Sequence, residues 1–136
     1  MIHVFYKKRG SGKTKALIDM ANEKVLNSKG HVVFIDDDKR HLFDLHRNIR
    51  FISTEDYKLK DYNCFYGFLC GILSEDYDIE TVFIDGLSNI VCGNLGNAAH
   101  LFFDLEKLSQ ENNIEFYINV NSEESEIPEF MKKYVA

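Results

Sequence analysis

IHVFYKKRGSGKTKALIDM, at residues 2–20, is the stretch that decides the fold of this chain. It consists of a short apolar run, a basic turn with two glycines and a segment of helix formers, which predicts a strand, a tight turn and a helix. Small residues at Gly10, Ser11 and Gly12 let successive backbone N–H groups point inward. A helix that begins near Lys13 would point the positive end of its dipole to the same place. The stretch therefore predicts a phosphate-binding loop.

Two residues at the start of the predicted helix have the chemistry of a nucleotide site. Lys13 would place its ammonium group on the β- and γ-phosphates, and the Thr14 hydroxyl would bind the Mg²⁺ ion that bridges them. The turn follows the pattern G-x-x-x-x-G-K-[ST], with Lys7 at the position of the first glycine. A basic surface turn is the alternative interpretation, but the flanking strand and helix favour the phosphate loop. The predicted nucleotide contacts are Arg9, Gly10, Ser11, Gly12, Lys13, Thr14 and Lys15.

Composition indicates one folded domain that spans residues 1–136. The chain has 136 residues, of which 45% are hydrophobic, with 11 Phe and 7 Tyr against a single Pro. This length allows one sizeable core but not two, and the apolar content excludes a disordered chain.

Charge and cysteine content limit the class of partner. The formal net charge of −6 argues against nucleic acid as a partner. Cys64, Cys70 and Cys92 have no C-x-x-C spacing, so we expect reduced, mostly buried thiols rather than a disulfide framework. No apolar run approaches the roughly 18 residues of a membrane span, and no signal peptide is recognisable. We expect a cytoplasmic protein that does not bind membranes.

Strand and helix patterns alternate along the rest of the chain. Apolar runs predict strands at residues 31–35, 49–53, 80–86 and 114–120. Helical spacing predicts helices at residues 13–26, 39–47, 65–73, 98–108 and 128–134, with a long loop at residues 87–97. Gly30 is expected to cap the first long helix, and Gly67 and Gly71 to allow close packing on the sheet. The alternation predicts a three-layer α/β/α domain with a mainly parallel sheet.

Polar residues lie at the carboxyl ends of three predicted strands: Asp36 to Asp38, Asp85, and Asn119 to Asn121. Ligands of parallel sheets bind at the carboxyl ends of the strands, and Asp85 is there the natural partner of Thr14 and Mg²⁺. The run from Asp36 to Asp38 has two interpretations. It is either a solvated turn in which Asp38 caps a helix, or it supplies a carboxylate that positions or deprotonates an attacking water.

Four segments, IHVFYKKRGSGKT, VVFIDDDKRHLFD, ETVFIDGLSNIV and IEFYINVN, together resemble the core of the RecA-like P-loop ATPases over residues 2–121. The resemblance implies binding of ATP and Mg²⁺. It further implies that Asp38 activates water and that Asp85 is the metal-associated aspartate. The residue that senses the γ-phosphate would be Asn119 or Asn121, and side-chain alternation places both on one face. The family's later strands and DNA-binding elements have no counterpart, so recombinase activity is not expected.

The leading functional hypothesis is a weak Mg²⁺-dependent ATPase in which Lys13 and Asp38 have catalytic roles. The alternative is a nucleotide-binding switch or interaction module whose degenerate site does not hydrolyse ATP. A small metabolite kinase ranks last, because residues 51–77 contain no arginine for a lid. By analogy with ATPases that complete their sites between subunits, a homo-oligomer or a protein partner is also expected.

Overall fold

The structure is a computed structural model that describes residues 1–7, 12–91, 93–121 and 127–135. Five strands alternate with helices along these residues, as the sequence predicts. The strands are β1 (Ile2–Lys7), β2 (His31–Asp36), β3 (Ile49–Ser53), β4 (Ile79–Ile84) and β5 (Glu115–Asn121). The helices are α1 (Lys13–Asn27), α2 (Tyr62–Glu75), α3 (Leu87–Ile90) and α4 (Ala99–Asn112), and 3₁₀ turns lie at Leu42–Asp44, Leu95–Ala98 and Glu129–Tyr134.

All five strands are parallel and form one sheet in the order β1-β5-β4-β2-β3. The prediction of an α/β fold with a mainly parallel sheet is confirmed. Strand β5, the last in the chain, lies between β1 and β4. As a result, the carboxyl end of β5 lies between the strand that leads to the glycine-rich turn and the strand that leads to Asp85.

The register of the sheet rests on a repeated tripeptide. Strands β2, β3, β4 and β5 each have, at or near the carboxyl end, an aromatic residue, an isoleucine and a polar residue: FID at 34–36, FIS at 51–53, FID at 83–85 and YIN at 117–119. The paired strands align these tripeptides position by position. Because side chains alternate between the two faces of a sheet, the aromatic and polar positions share one face and the isoleucines lie on the other.

The two faces of the sheet have different helical covers. Helix α1 packs on the aromatic face, where Leu17, Ile18 and Ala21 are buried against Phe34 and Phe83. Helices α2 and α4 pack on the isoleucine face, with Phe65, Leu69, Leu101, Phe102 and Leu105 in the larger core. Every ring in the row Phe51, Phe34, Phe83 and Tyr117 stacks on its neighbour, with centroids 4.9–6.4 Å apart.

Within the described part of the chain, no helix has both the length and the apolar character needed to cross a bilayer.

Two predicted elements differ from those in the structure. The helix expected at residues 39–47 is only the 3₁₀ turn Leu42–Asp44. Leu42 and Phe43 are 37% and 94% exposed while Leu45 packs against the core, so the apolar contacts are too few to stabilise a longer helix. The long loop expected at residues 87–97 instead contains α3 and a 3₁₀ turn. Their apolar side chains are buried, so this segment belongs to the core.

Three glycines have roles other than those predicted. Helix α1 ends at Asn27 with Ser28 as its C-cap, so Gly30 is not the cap. A β-carbon on Gly30 would lie 2.5 Å from the carbonyl oxygen of Asp78, which explains why no side chain fits there. Gly67 and Gly71 are exposed, and a β-carbon on either would contact nothing within 4 Å, so neither allows close packing.

Cys64 is exposed, although the sequence predicts mostly buried thiols.

Candidate functional site

Helix α1 begins with a glycine in a left-handed conformation. Gly12, the N-cap, has a φ of 76°, and as a glycine it has no side chain that could cap the helix. The first turn contains no acidic residue, and it carries Lys13 and Thr14. The positive end of the helix dipole and the first backbone N–H groups are thus available to an anion.

Three polar side chains from distant parts of the chain meet beside this helix start. The Thr14 hydroxyl lies 3.3 Å from Oδ1 of Asp85 and donates a hydrogen bond to it. The amide of Asn119 donates to the same Asp85 oxygen and to the carbonyl oxygen of Lys13, both at 3.0 Å. Asn119 therefore links the first turn of α1 to the carboxyl end of β4.

The structure distinguishes between the two asparagines that the sequence left open. Asn119 is 1% exposed and lies on the aromatic face, next to Asp85 in the row of polar strand ends. Asn121 has a different environment, because its backbone carbonyl accepts a hydrogen bond from the Ser88 hydroxyl. Asn119 is thus the residue that belongs to the site.

Asp36 lies in the same row, one strand further along. Ile35 pairs with Ile84, so Asp36 and Asp85 occupy neighbouring positions on the same face of the sheet. Asp36 is 3% exposed. Its Oδ1 accepts a hydrogen bond from the Asp37 N–H, and its Oδ2 is buried with no hydrogen-bond partner among the described residues. Burial, followed by interaction with the Asp37 side chain and the charge of Asp85, raises the pKa of Asp36 to about 8, although the hydrogen bond from the Asp37 backbone N–H acts in the opposite direction.

Asp38, the predicted water-activating residue, is held by its own turn. One carboxylate oxygen accepts from the backbone N–H of Arg40 at 3.0 Å, and the other pairs with the Arg40 guanidinium at 2.8 Å. The side chain is 28% exposed. Of the two carboxylates, Asp36 is therefore the one in the row with Asp85, and Asp38 is at the surface of the turn.

The oxygen atoms around Asp85 form a donor set that suits Mg²⁺. A hydroxyl oxygen comes from Thr14 and carboxylate oxygens come from Asp85 and Asp36, and hard oxygen ligands are those that Mg²⁺ prefers. The unpartnered Oδ2 of Asp36 is a buried acceptor that a cation would satisfy. The residues present thus fit the metal that the sequence implied.

A cavity of about 570 Å³ adjoins this donor set. One wall is the outer face of α1, where Thr14, Lys15, Ile18 and Asp19 follow one another along the helix. The other wall is the connection between β2 and β3, which contributes His41 and Asp44. The volume is within the range of small-molecule sites.

The other residues predicted to contact the nucleotide differ in their exposure. Lys13 is 7% exposed, and Lys15 is exposed at the mouth of the cavity. Arg9, Gly10 and Ser11 lie outside the described residues.

Sequence reasoning included Asp36 in the candidate run 36–38 but assigned the role in the site to Asp38. The signal that could have found it is the repeated tripeptide, because aligning FID at 34–36 with FID at 83–85 places Asp36 beside Asp85. The run 36–38 by itself does not favour one of its aspartates, whereas the alignment with residues 83–85 favours Asp36.

Compared with protein-family models and with curated proteins, the chain gives no match.

Proposed function

We propose that this protein binds ATP with Mg²⁺ at the start of α1 and hydrolyses it slowly. The observation that carries the proposal is the contact of Thr14, Asp85 and Asn119 beside the uncapped, glycine-started N-terminus of α1. Anion-binding amides and a cation-binding oxygen set lie next to one another there. This combination suits a phosphate chain that carries a divalent metal.

Thr14 and Asp85 are the proposed metal ligands, with Asp36 as a third carboxylate nearby. Mg²⁺ would supply positive charge between these carboxylates and the phosphate oxygens. Asn119 would hold Asp85 and the first turn of α1 in their relative positions through its two hydrogen bonds. Lys13 would bind phosphate oxygens together with the amides of the turn.

The cavity beside α1 is the proposed site of the nucleoside. It begins at Thr14 and Lys15 and runs away from the polar row toward His41 and Asp44. Replacing His41 with Ala should therefore weaken binding of ATP but leave binding of inorganic triphosphate unchanged. Equal weakening of both ligands would contradict a nucleoside in this cavity.

Isothermal titration of Mg·ATP tests the binding step. Wild type should bind, and Lys13→Ala should bind at least about tenfold more weakly, because a charge-assisted contact to phosphate is lost. Lys107→Ala on the exposed face of α4 is the matched control and should bind as wild type does. If wild type shows no heat with ATP at millimolar concentration, the proposal fails.

Phosphate release in the same samples tests hydrolysis and identifies the carboxylate involved. The resemblance to RecA-like ATPases assigns water activation to Asp38, whereas burial and position favour Asp36. We therefore expect Asp36→Asn to reduce the release rate by about a hundredfold or more and Asp38→Asn by less than tenfold. A larger loss of rate in Asp38→Asn than in Asp36→Asn would assign water activation to Asp38.

A nucleotide-binding module that does not hydrolyse ATP is the second candidate function. The pairing of Asp38 with Arg40 favours it, since the predicted base is already engaged. Tight binding of Mg·ATP without phosphate release above the rate in buffer would establish this alternative.

A further inference from the structure

Strand β3 is an open edge of the sheet. It pairs with β2 on one side, and no strand of the described residues pairs with its other side. The opposite edge of the sheet, strand β1, has a contact on its outer side. Val135 pairs there with Val4 of β1, and the 3₁₀ turn Glu129–Tyr134 precedes that contact. Proteins usually protect such edges, since they can pair with another chain.

A groove of about 510 Å³ runs along this edge. Its floor is Arg50 to Ser53 of β3, and Phe68 and Ile72 of α2 form part of its wall. Large apolar side chains at its margins face solvent: Leu42 is 37% exposed and Tyr57 is 58% exposed. The edge is therefore flanked by apolar surface rather than screened from solvent.

Symmetry restricts how two copies of β3 can pair. A two-fold axis perpendicular to the sheet makes the strands antiparallel and brings one residue opposite itself. An axis at Arg50 would oppose two like charges, which is unfavourable. An axis at Phe51 opposes two aromatic rings instead.

The axis at Phe51 also continues the stacked row of the sheet. Phe51 stacks on Phe34 with centroids 6.4 Å apart, and the row continues through Phe83 to Tyr117. With the two-fold axis there, the row of one copy would meet the row of the other at the shared edge. Directly opposed residues of an antiparallel pair have β-carbons about 4.5–5.5 Å apart, close enough for the rings to touch.

Charges on either side of Phe51 are arranged for the same pairing. Arg47 lies in the turn before β3 and Glu55 in the turn after it, so antiparallel pairing about Phe51 brings Arg47 of one copy to the same end of the paired strands as Glu55 of the other. Arg47 is exposed and makes no ion pair within the described part of the chain. The Glu55 carboxylate, 38% exposed, lies 3.3 Å from Lys39 of its own chain and remains accessible to a second cation.

We propose that the β3 edge pairs with the β3 edge of a second copy of this chain, antiparallel about Phe51, to form a dimer with a continuous ten-stranded sheet. The inference is independent of nucleotide binding. The groove would receive the margin of the partner, and the exposed apolar side chains at Leu42 and Tyr57 would be covered.

Light scattering after size exclusion, at several loading concentrations, tests the dimer. Wild type should be dimeric at tens of micromolar. Arg47→Glu and Glu55→Arg should each raise the dissociation constant at least about tenfold, because each variant opposes like charges at two symmetric positions. The double variant Arg47→Glu/Glu55→Arg restores opposite charges and should return the constant to within about threefold of wild type.

Lys107→Glu on α4 is the control, because it makes the same change of charge far from the edge and should leave the dimer intact. Circular dichroism melts of all variants show whether each is folded. A wild type that is monomeric at 100 micromolar or above, single variants that dimerise normally, or a double variant that stays monomeric while folded would each overturn the proposal.

Discussion

Asn119 shows how one side chain can define a site. Its amide joins the carbonyl oxygen of Lys13 to the Asp85 carboxylate, two groups more than seventy positions apart in the chain. It is 1% exposed, so neither bond can be replaced by water without rearrangement. The positions of both the helix start and the Asp85 carboxylate depend on it.

Replacing Asn119 with Ala should lower the free energy of unfolding by about 1–3 kcal/mol, because two buried acceptors lose their donor. Asn121→Ala is the matched comparison at the end of the same strand. The Oδ1 of Asn121 has no hydrogen-bond partner in the described part of the chain, so the cost should stay below about 1 kcal/mol. Urea denaturation of the three proteins measures both values, and equal losses would contradict the linking role of Asn119.

Asp36 gives a prediction about pH. The folded protein holds the proton of this carboxyl up to about pH 8, whereas the unfolded chain releases it near 3.8. Between these values the folded state binds more protons, so raising the pH removes stability. The contribution is complete below the unfolded pKa and is lost as pH rises through the folded pKa.

Asp36→Asn should remove this dependence. In buffer with EDTA, the variant should gain stability relative to wild type by up to about 1.4 kcal/mol per pH unit between roughly pH 4 and pH 8. Urea unfolding at pH 5, 6, 7 and 8 would measure it. Curves that stay parallel across this range would show that Asp36 ionises normally.

At the scale of elements, the glycines of this chain have opposite consequences for stability. Gly67 lies inside α2 with open space where a β-carbon would be, so its only effect in the folded helix is unfavourable. Gly30 lies where β2 begins, against the backbone of Asp78 and the side chain of Glu80. Glycine is therefore dispensable at position 67, whereas packing requires glycine at position 30.

Gly67→Ala and Gly71→Ala should each stabilise the protein by about 1 kcal/mol, the difference in helix propensity between the two residues. Gly30→Ala should destabilise it by about 1–3 kcal/mol, because the new methyl group would force the chain away from Asp78. Thermal melts of the three variants provide the comparison. Loss of stability in the α2 variants would show that the helix surface is in fact covered.

At the scale of the whole molecule, ligand binding and folding are coupled. A ligand at one hundred times its dissociation constant stabilises the folded state by about 2.7 kcal/mol. For a domain of 136 residues this corresponds to a rise in melting temperature of roughly 9 °C.

Mg·ATP should therefore raise the melting temperature of wild type by roughly 9 °C at that concentration, and Lys13→Ala, which is expected to bind at least about tenfold more weakly, should show a rise of at most roughly 5 °C under the same conditions. Adding EDTA should reduce the shift for wild type, because the metal contacts are lost. A shift that is the same with Lys13→Ala would place the nucleotide elsewhere on the molecule.

Much of the fold was predictable because it depends on local patterns. Continuous apolar runs bounded by polar residues identified all five strands, and helical spacing identified α1, α2 and α4. The predictions that were wrong concern segments in which apolar character and burial do not coincide. Phe43 is apolar and exposed, whereas residues 87–91 are flanked by glycine and asparagine yet lie in the core.

The sequence by itself determined the order of strands and helices, the glycine-rich turn, and the candidate roles of Lys13, Thr14 and Asp85, because each follows from residue type and spacing. Only the tertiary structure decided that β5 lies between β1 and β4, which brings Asn119 to Asp85 and Asp36 to the same row. Strand order is set by how helices cross and pack, which no single segment encodes. The choices between Asn119 and Asn121, and between Asp36 and Asp38, therefore depended on contacts between residues far apart in the chain.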